Sequence, residues 1–309
     1  MLILAVGCSS PSARRAIDQV REQPVDPDLE ALRQTDPKLV FYQEVGRIAT
    51  GFKQPRGVAV GTGGIYVAGD KAVAQFGFDG KRKGLQPLPA EPQCLAVDAA
   101  GTAYAAANDR IMVIQGSHVQ AWPSYGPKAV FTSVAVGPDS VWVADAGNRI
   151  IVRFSPAGQV VGTFGKRDSK SQYPGLIVPS PHLDIAIDPR GNLIVTNPGT
   201  HRVETHAPDG PMLSSWGKES PRIDGFCGCC NPTDIALLSD SSVVTAEKGL
   251  LRVKVYDAKG DFKGVVVGAE SFNETITGLD LAVFQDRVYV LDSFDKVVRV
   301  YASKSVGRP

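Results

Sequence analysis

The chain has 309 residues, enough to bury a large core without the help of disulfide bonds. Its 33 basic and 32 acidic side chains leave a formal net charge of +1, so bulk charge attracts neither nucleic acid nor an anionic membrane, and we expect no nucleic-acid partner. Valine is about twice as frequent as leucine, and glycine (32) and proline (22) are abundant. This composition predicts an all-β chain with many turns.

The first element in chain order is a short apolar start, residues 1–8, which ends in Gly7-Cys8 before polar residues. It resembles the end of a bacterial lipoprotein signal, in which Cys8 becomes the lipidated first residue of the mature protein. The resemblance implies an exported protein of the cell envelope, periplasmic or on the outer face, that touches the membrane only through a lipid anchor. Elsewhere in the sequence no stretch approaches the ~18 apolar residues of a membrane span.

Residues 9–38 are rich in charge and punctuated by proline. Such a composition buries too little apolar surface for a packed core. We expect a tether with one short helix around Ile17 and Val20.

Six copies of one unit follow the tether, each with a small apolar triplet, a polar turn and a second apolar strand. The central alanines of the triplets are separated by 37, 39, 51, 50 and 46 residues, which suits four short strands per unit. The triplets are Val58-Ala59-Val60, Leu95-Ala96-Val97, Val134-Ala135-Val136, Ile185-Ala186-Ile187, Ile235-Ala236-Leu237 and Leu281-Ala282-Val283. Radial repetition of four-stranded sheets is typical of a β-propeller.

The sequence therefore predicts a six-bladed β-propeller over residues 39–303, with a C-terminal tail at 304–309. The sixth unit contains only three strands, whereas Leu39 to Ala49 forms an unassigned strand before the first unit. We expect this strand to close the ring as the outer strand of blade 6, because closure leaves no open sheet edge. We expect the propeller to be monomeric.

Three stretches resemble the NHL repeat: residues 54–60, residues 141–150, and Leu291-Asp292 with Lys296. The resemblance extends over residues 40–301. It implies that the acidic residue after the second strand and the basic residue that follows it tie a turn together. In blade 3 these residues are Asp145 and Arg149.

Strand order predicts which loops share a face. In an antiparallel blade with strands a to d from the channel outward, the loop entering strand a and the loop joining b to c lie on the same side. Four atypical loops of blades 4 and 5 therefore open onto one face. They are residues 178–184, 197–202, 226–232 and 247–252.

These loops contain the candidate ligand-binding or partner-binding residues, because convergent polar groups mark binding sites. The candidates are His182, Asn197, His201, Arg202, Asn231, Glu247 and Lys248. Glu247 is also a candidate acid or base. We expect Glu247 and Lys248 to lie in an exposed loop, where substitution costs little stability. The two remaining histidines, His118 and His206, fall in strands, and we expect each to be either packed in the fold or exposed on its surface, without a role in a site.

One of these loops, 226–232, contains three cysteines in a stretch of four residues: Cys227, Cys229 and Cys230. Three interpretations remain open: a structural disulfide, a soft copper or zinc site completed by His182 or His201, and redox-active thiols. Cys94 is predicted to open onto the same face from across the channel.

The segment 226–237, which begins Phe-Cys-Gly-Cys-Cys-Asn-Pro, resembles a group of exported bacterial NHL propellers to which we can assign no activity. We predict a non-enzymatic binding or assembly module for a protein partner or a small ligand. The alternative is a redox-dependent or metal-dependent accessory protein or enzyme that uses the three cysteines. A lyase or lactonase-type propeller enzyme is a weaker alternative, because the amidating-lyase branch uses three histidines and only His182 matches one of them.

Overall fold

The computed structural model describes residues 27–170, 173–273, 275 and 278–304. Cys8 and the helix expected around Ile17 and Val20 lie outside these residues. A helix that the sequence did not predict, α1 (Pro27–Arg33), lies inside the segment interpreted as a tether. No helix of the described residues is long and apolar enough to cross a membrane.

Twenty-four strands of the described chain form six four-stranded antiparallel sheets, the blades of a six-bladed β-propeller. Blade 1 contains β2 (Pro55–Gly61), β3 (Gly64–Gly69), β4 (Ala72–Phe76) and β5 (Arg82–Pro87). Blade 2 contains β6 (Cys94–Val97), β7 (Ala103–Ala107), β8 (Arg110–Gln115) and β9 (His118–Ala121). Blade 3 contains β10 (Phe131–Val136), β11 (Val141–Asp145), β12 (Ile150–Phe154) and β13 (Val160–Phe164). Blade 4 contains β14 (Ile185–Ile187), β15 (Leu193–Asn197), β16 (Arg202–His206) and β17 (Met212–Trp216). Blade 5 contains β18 (Asp234–Leu237), β19 (Val243–Ala246), β20 (Val253–Tyr256) and β21 (Phe262–Val267). Blade 6 contains β22 (Asp280–Phe284), β23 (Arg287–Asp292), β24 (Val297–Ser303) and β1 (Tyr42–Ala49).

The N-terminal strand closes the ring, as the sequence predicts. β1 pairs antiparallel with β24, from Tyr42 opposite Ser303 to Ala49 opposite Val297. The last blade is thereby built from both ends of the propeller, and β24 keeps no open edge.

The core is divided into six hydrophobic clusters, one between each pair of neighbouring blades. Middle strands such as β11 are buried along their whole length, whereas an outer strand such as β13 is largely exposed. A strand with a sheet packed on each face buries both sets of alternating side chains, which explains its continuous apolar sequence. The triplet alanines lie on the inner strands, where the blades converge and little room is left for a side chain.

Candidate functional site

The entries to the inner strands of all six blades meet at one cavity of about 250 Å³, which we call the central cavity. Its wall includes one side chain from each entry: Arg56, Gln93, Thr132, His182, Thr233 and Leu279. The loop between the second and third strands of blade 6 contributes Ser293 to the same wall. Both kinds of loop therefore open onto one face, as strand parity predicts.

Three carboxyl groups line the central cavity at equivalent positions in consecutive blades: Asp184, Asp234 and Asp280. Each precedes a triplet and accepts a backbone N–H from the inner strand of the next blade. Asp184 Oδ2 accepts from Ile235 at 2.6 Å, and Asp234 Oδ1 accepts from Leu281 at 2.9 Å. Asp280 Oδ2 continues the pattern into blade 1. These contacts tie neighbouring blades together around the channel.

Burial raises the pKa of all three carboxyl groups. The pKa of Asp184 rises to about 6 and that of Asp280 to about 7, and the pKa of Asp234 lies well above its ordinary value. Charge repulsion among the three adds to the effect of burial on Asp234 and Asp280, which also hydrogen-bond to each other. The cavity therefore holds carboxyl groups that keep protons near neutral pH.

Sequence reasoning did not select this set. The signal was available, because the residue before the triplet is Asp in blades 4, 5 and 6, whereas it is Gly57, Cys94 and Ser133 in blades 1, 2 and 3. Cys94 lies in this ring, is buried, and has a pKa raised well above its usual value, mainly by burial.

His182 lies in the wall of the central cavity and is half-buried. Neither of its ring nitrogens has a hydrogen-bond partner among the described residues. Burial and, to a smaller extent, the positive charge of Lys248 together lower the pKa of His182 to about 4. The imidazole is therefore neutral at neutral pH, with one nitrogen free to accept a proton or a hydrogen bond.

The loop Phe226–Pro232, which we call the thiol loop, lies beside blade 4. Cys229 is exposed and Cys230 is buried, and their Sγ atoms are 3.1 Å apart. The four described cysteines are free thiols, so the structural disulfide is not present in this structure. No group of three or more His, Cys, Asp or Glu side chains in the described chain is arranged to hold a metal ion, so the ligand set expected for copper or zinc is not assembled.

A short chain of polar contacts joins Cys230 to Lys248. Lys248 Nζ donates to Ser180 Oγ at 2.8 Å, and that hydroxyl donates to Cys230 Sγ at 3.3 Å. Burial raises the pKa of Cys230, but hydrogen bonds from Lys248, Ser180 and Cys229 outweigh it and leave the pKa below its ordinary value. The hydrogen bond between the two thiols raises the pKa of Cys229. Of the two thiols, the buried one is the better thiolate.

The expectation of an exposed Glu247 is wrong. Its side chain is fully buried, with Lys254 Nζ at 2.7 Å and Arg252 bound through two nitrogens at 2.9 and 3.1 Å. Its Oε2 also accepts the backbone N–H of Cys227 at 2.9 Å. Glu247 therefore holds the thiol loop in place from beneath and has no surface with which to touch a ligand. Lys248 is half-buried.

Two of the other candidates are also interior anchors. Asn197 is buried and binds the backbone of Ile177 and the side chain of Glu204. Asn231 is buried. Its side-chain amide donates to the backbone carbonyl of Lys248 and accepts the backbone N–H of Lys248, so it ties the thiol loop to that residue.

Of the last two candidates, one is buried and one is exposed. His201 is buried against the carbonyl of Gly228 in the thiol loop. Arg202 is exposed. His206 is packed against Glu204 and His118 is exposed, as their strand positions indicated.

The turn of blade 3 is not tied by an ion pair of Asp145 with Arg149. Asp145 instead accepts from Val130 N and from the backbone and side chain of Asn148. Arg149 is exposed and has a φ of 58°, so it serves the turn through its left-handed backbone.

No family model and no curated protein matches the chain. Among solved structures, virginiamycin B lyase from Staphylococcus aureus is 14% identical with a TM-score of 0.59, over 85% of this chain and 99% of that one. A streptogramin B lyase is 11% identical with a TM-score of 0.61, over 85% and 98%. A protein of unknown function from Bacteroides thetaiotaomicron is 14% identical with a TM-score of 0.61, over 85% and 72%. These likenesses show the six-bladed propeller fold.

Proposed function

We propose that the protein is a binding propeller that takes a small, positively charged ligand into the central cavity. The observation that carries this proposal is the convergence on one cavity of three carboxyl groups, one buried and two half-buried, and the unpartnered imidazole of His182. Buried carboxylates are costly unless a cation or hydrogen-bond donors compensate them. A ligand that brings positive charge and N–H donors supplies both.

Binding of such a cation is coupled to proton release. The carboxyl groups with pKa values of about 6 and about 7 hold protons in the empty cavity at mildly acidic pH. A cation favours their ionised form and displaces those protons. We therefore expect affinity to rise as the pH increases from about 5 to about 8.

Calorimetric titration with a linear alkyl diamine, and with the neutral diol of the same length, tests this function. We expect the diamine to bind at pH 8 and the diol not to bind. Asp280→Asn should weaken diamine binding at least ~10-fold, the equivalent of about 1.4 kcal/mol. Asp139→Asn, in an exposed turn, is the matched control and should bind as the wild type does. Equal binding of diol and diamine, or full affinity in Asp280→Asn, would contradict the proposal.

We further propose that the chain is an exported NHL-type propeller anchored through lipid on Cys8. The six repeats and the apolar start before Cys8 support this interpretation. Fractionation of cells that carry the natural protein or its Cys8→Ser variant tests it, because only the lipidated chain should need detergent for extraction.

A lyase reaction in the same cavity is the second candidate. His182 offers a neutral base, and Asp280, with a pKa of about 7, offers a carboxyl group that is partly protonated at neutral pH, so one wall of the cavity holds a base and another an acid. The structural likeness to virginiamycin B lyase adds weight. Chromatography after incubation with quinupristin, the compound named in a related structure of that enzyme, distinguishes the two functions. Conversion that is lost in His182→Ala would favour the lyase, and unchanged quinupristin would exclude this substrate.

A further inference from the structure

We infer that Cys229 and Cys230 form a dithiol that exchanges with organic disulfides, an activity separate from ligand binding in the central cavity. The thiol loop presents two adjacent sulfur atoms 3.1 Å apart, one exposed and one buried. Thiol–disulfide exchange needs an accessible sulfur that attacks and a second sulfur within reach that resolves the product. The pair provides both positions.

The exposed position makes Cys229 the attacking residue. Its thiol shares a hydrogen bond with Cys230, which has the lower pKa and is the resting thiolate, so the Cys229 proton passes along that contact to Cys230 as Cys229 attacks. The thiolate of Cys229 attacks one sulfur of a disulfide R–S–S–R′. A mixed disulfide of Cys229 with R–S forms, the R–S–S–R′ bond breaks, and R′–S⁻ leaves and takes up a proton from solvent.

The buried position makes Cys230 the resolving residue. After the first step Cys230 releases the proton it received to solvent, and hydrogen bonds from Lys248 and Ser180 stabilise the thiolate that remains. This thiolate attacks the Cys229 sulfur, forms a Cys229–Cys230 disulfide and expels R–S⁻, which is protonated in turn. The dithiol has lost two electrons and two protons, and the substrate disulfide has gained them as two thiols.

The surroundings of the pair favour this chemistry over the alternatives. The thiol of Cys227 has no hydrogen-bond partner among the described residues. Lys248 is the cation beside Cys230, and His182, close enough to Lys248 to feel its charge, stays neutral. A structural metal site would need more ligands than this pair supplies.

The test uses the reduced full chain with Cys8 and Cys227 replaced by serine, so that Cys229, Cys230 and the buried Cys94 remain. The probe is the aromatic disulfide dithiobisnitrobenzoate, and released chromophore and protein mass are followed together. We expect two chromophore equivalents per chain, no retained adduct, and a loss of two hydrogens mapped to Cys229 and Cys230. Retention of a stable adduct on Cys229 with only one equivalent released would overturn the proposal.

Variants on the same background separate the two roles. Cys230→Ser should release one equivalent and keep the adduct on Cys229, and Cys229→Ser should react at least tenfold more slowly. Lys248→Gln should slow the second release about tenfold and move the midpoint of its pH profile upward, because the Cys230 thiolate loses its cation. Lys259→Gln, the same charge change in an exposed turn of blade 5, should leave both releases unchanged.

An unshifted pH profile in Lys248→Gln would refute the assigned role of Lys248. A fast reaction in Cys229→Ser would refute the assignment of Cys229 as the attacking residue. Loss of diamine binding with intact exchange would affect the proposed function alone.

Discussion

At the scale of single residues, one position after the second strand of a blade repeats its task with different side chains. Asp145, Asn197 and Glu247 each accept a backbone N–H from the loop that enters their own blade. The acceptor task requires only an oxygen, which Asp, Asn and Glu all supply. The longer Glu247 reaches two cations, Arg252 and Lys254, whereas Asp292 at the equivalent position of blade 6 reaches Arg299 alone on the strand that follows.

The burial of Glu247 could have been predicted from strand periodicity. Arg252 and Lys254 are two residues apart, so they share one face, and Glu247 joins them there because it lies opposite Arg252. Burial lowers the pKa of Lys254, the attraction of Glu247 only partly offsets this effect, and the resulting pKa is about 8. We interpreted Glu247 from its loop position alone, and that position says nothing about the depth of the side chain.

We expect Glu247→Ala to lower the free energy of unfolding by about 3 to 5 kcal/mol, since it leaves two buried cations uncompensated. Urea unfolding at neutral pH measures this loss. Asp209→Ala, in an exposed turn, should change the stability by less than about 0.5 kcal/mol. Wild-type stability in Glu247→Ala would show that the buried ion pairs contribute nothing.

At the scale of elements, the sequence predicted the propeller well because triplets, turns and branched strands recur at a nearly fixed period. The closing strand could be predicted from an arithmetic gap, the missing fourth strand of blade 6. The helix α1 could not, because seven residues are too few to establish an apolar period. The chain that follows it is held by contacts with blade 5 such as Thr35 to Glu270 and Phe41 to Val265.

Deletion of residues 1–50 removes β1 and leaves the edge of β24 unpaired, so we expect aggregation and a lower unfolding temperature. Deletion of residues 1–35 keeps β1 and loses only peripheral contacts such as that of Arg33 with Ala269, so it should be tolerated. Light scattering and thermal unfolding of the two truncated chains measure the difference. A soluble chain beginning at residue 51 with unchanged stability would contradict the assigned role of β1.

At the scale of the whole molecule, the ring is asymmetric in charge. Blades 4, 5 and 6 contribute Asp184, Asp234 and Asp280, and the long loops of blades 4 and 5 add the thiol loop beside them. The faces of the loops followed from topology, so their convergence was predictable. The raised pKa values were not, because they depend on how closely neighbouring blades bring the carboxyl groups together.

This asymmetry predicts how stability depends on pH. The folded pKa of Asp280, about 7, is raised above its ordinary value of 3.8, so its protonated form stabilises the fold at low pH. That contribution is lost as the pH rises from about 4 through about 7, at up to about 1.4 kcal/mol per pH unit for each such carboxyl group. His182, with a folded pKa of about 4, acts in the opposite direction below about pH 6.5, but it is one group against three.

Asp280→Asn tests this effect, because the amide oxygen can still accept the Val58 N–H while the ionisable group is gone. Loss of its charge also relieves the repulsion that raises the pKa of Asp234. We expect equal stability of variant and wild type near pH 4, and a stability advantage of the variant that grows up to about pH 8. Urea unfolding at several pH values measures the difference, with Asp139→Asn as the exposed control whose difference from the wild type should stay flat. A variant that is less stable than the wild type at pH 8 would mean that the Asp280 carboxylate is already compensated in the folded protein, and the central cavity would then have no unmet need for a cation.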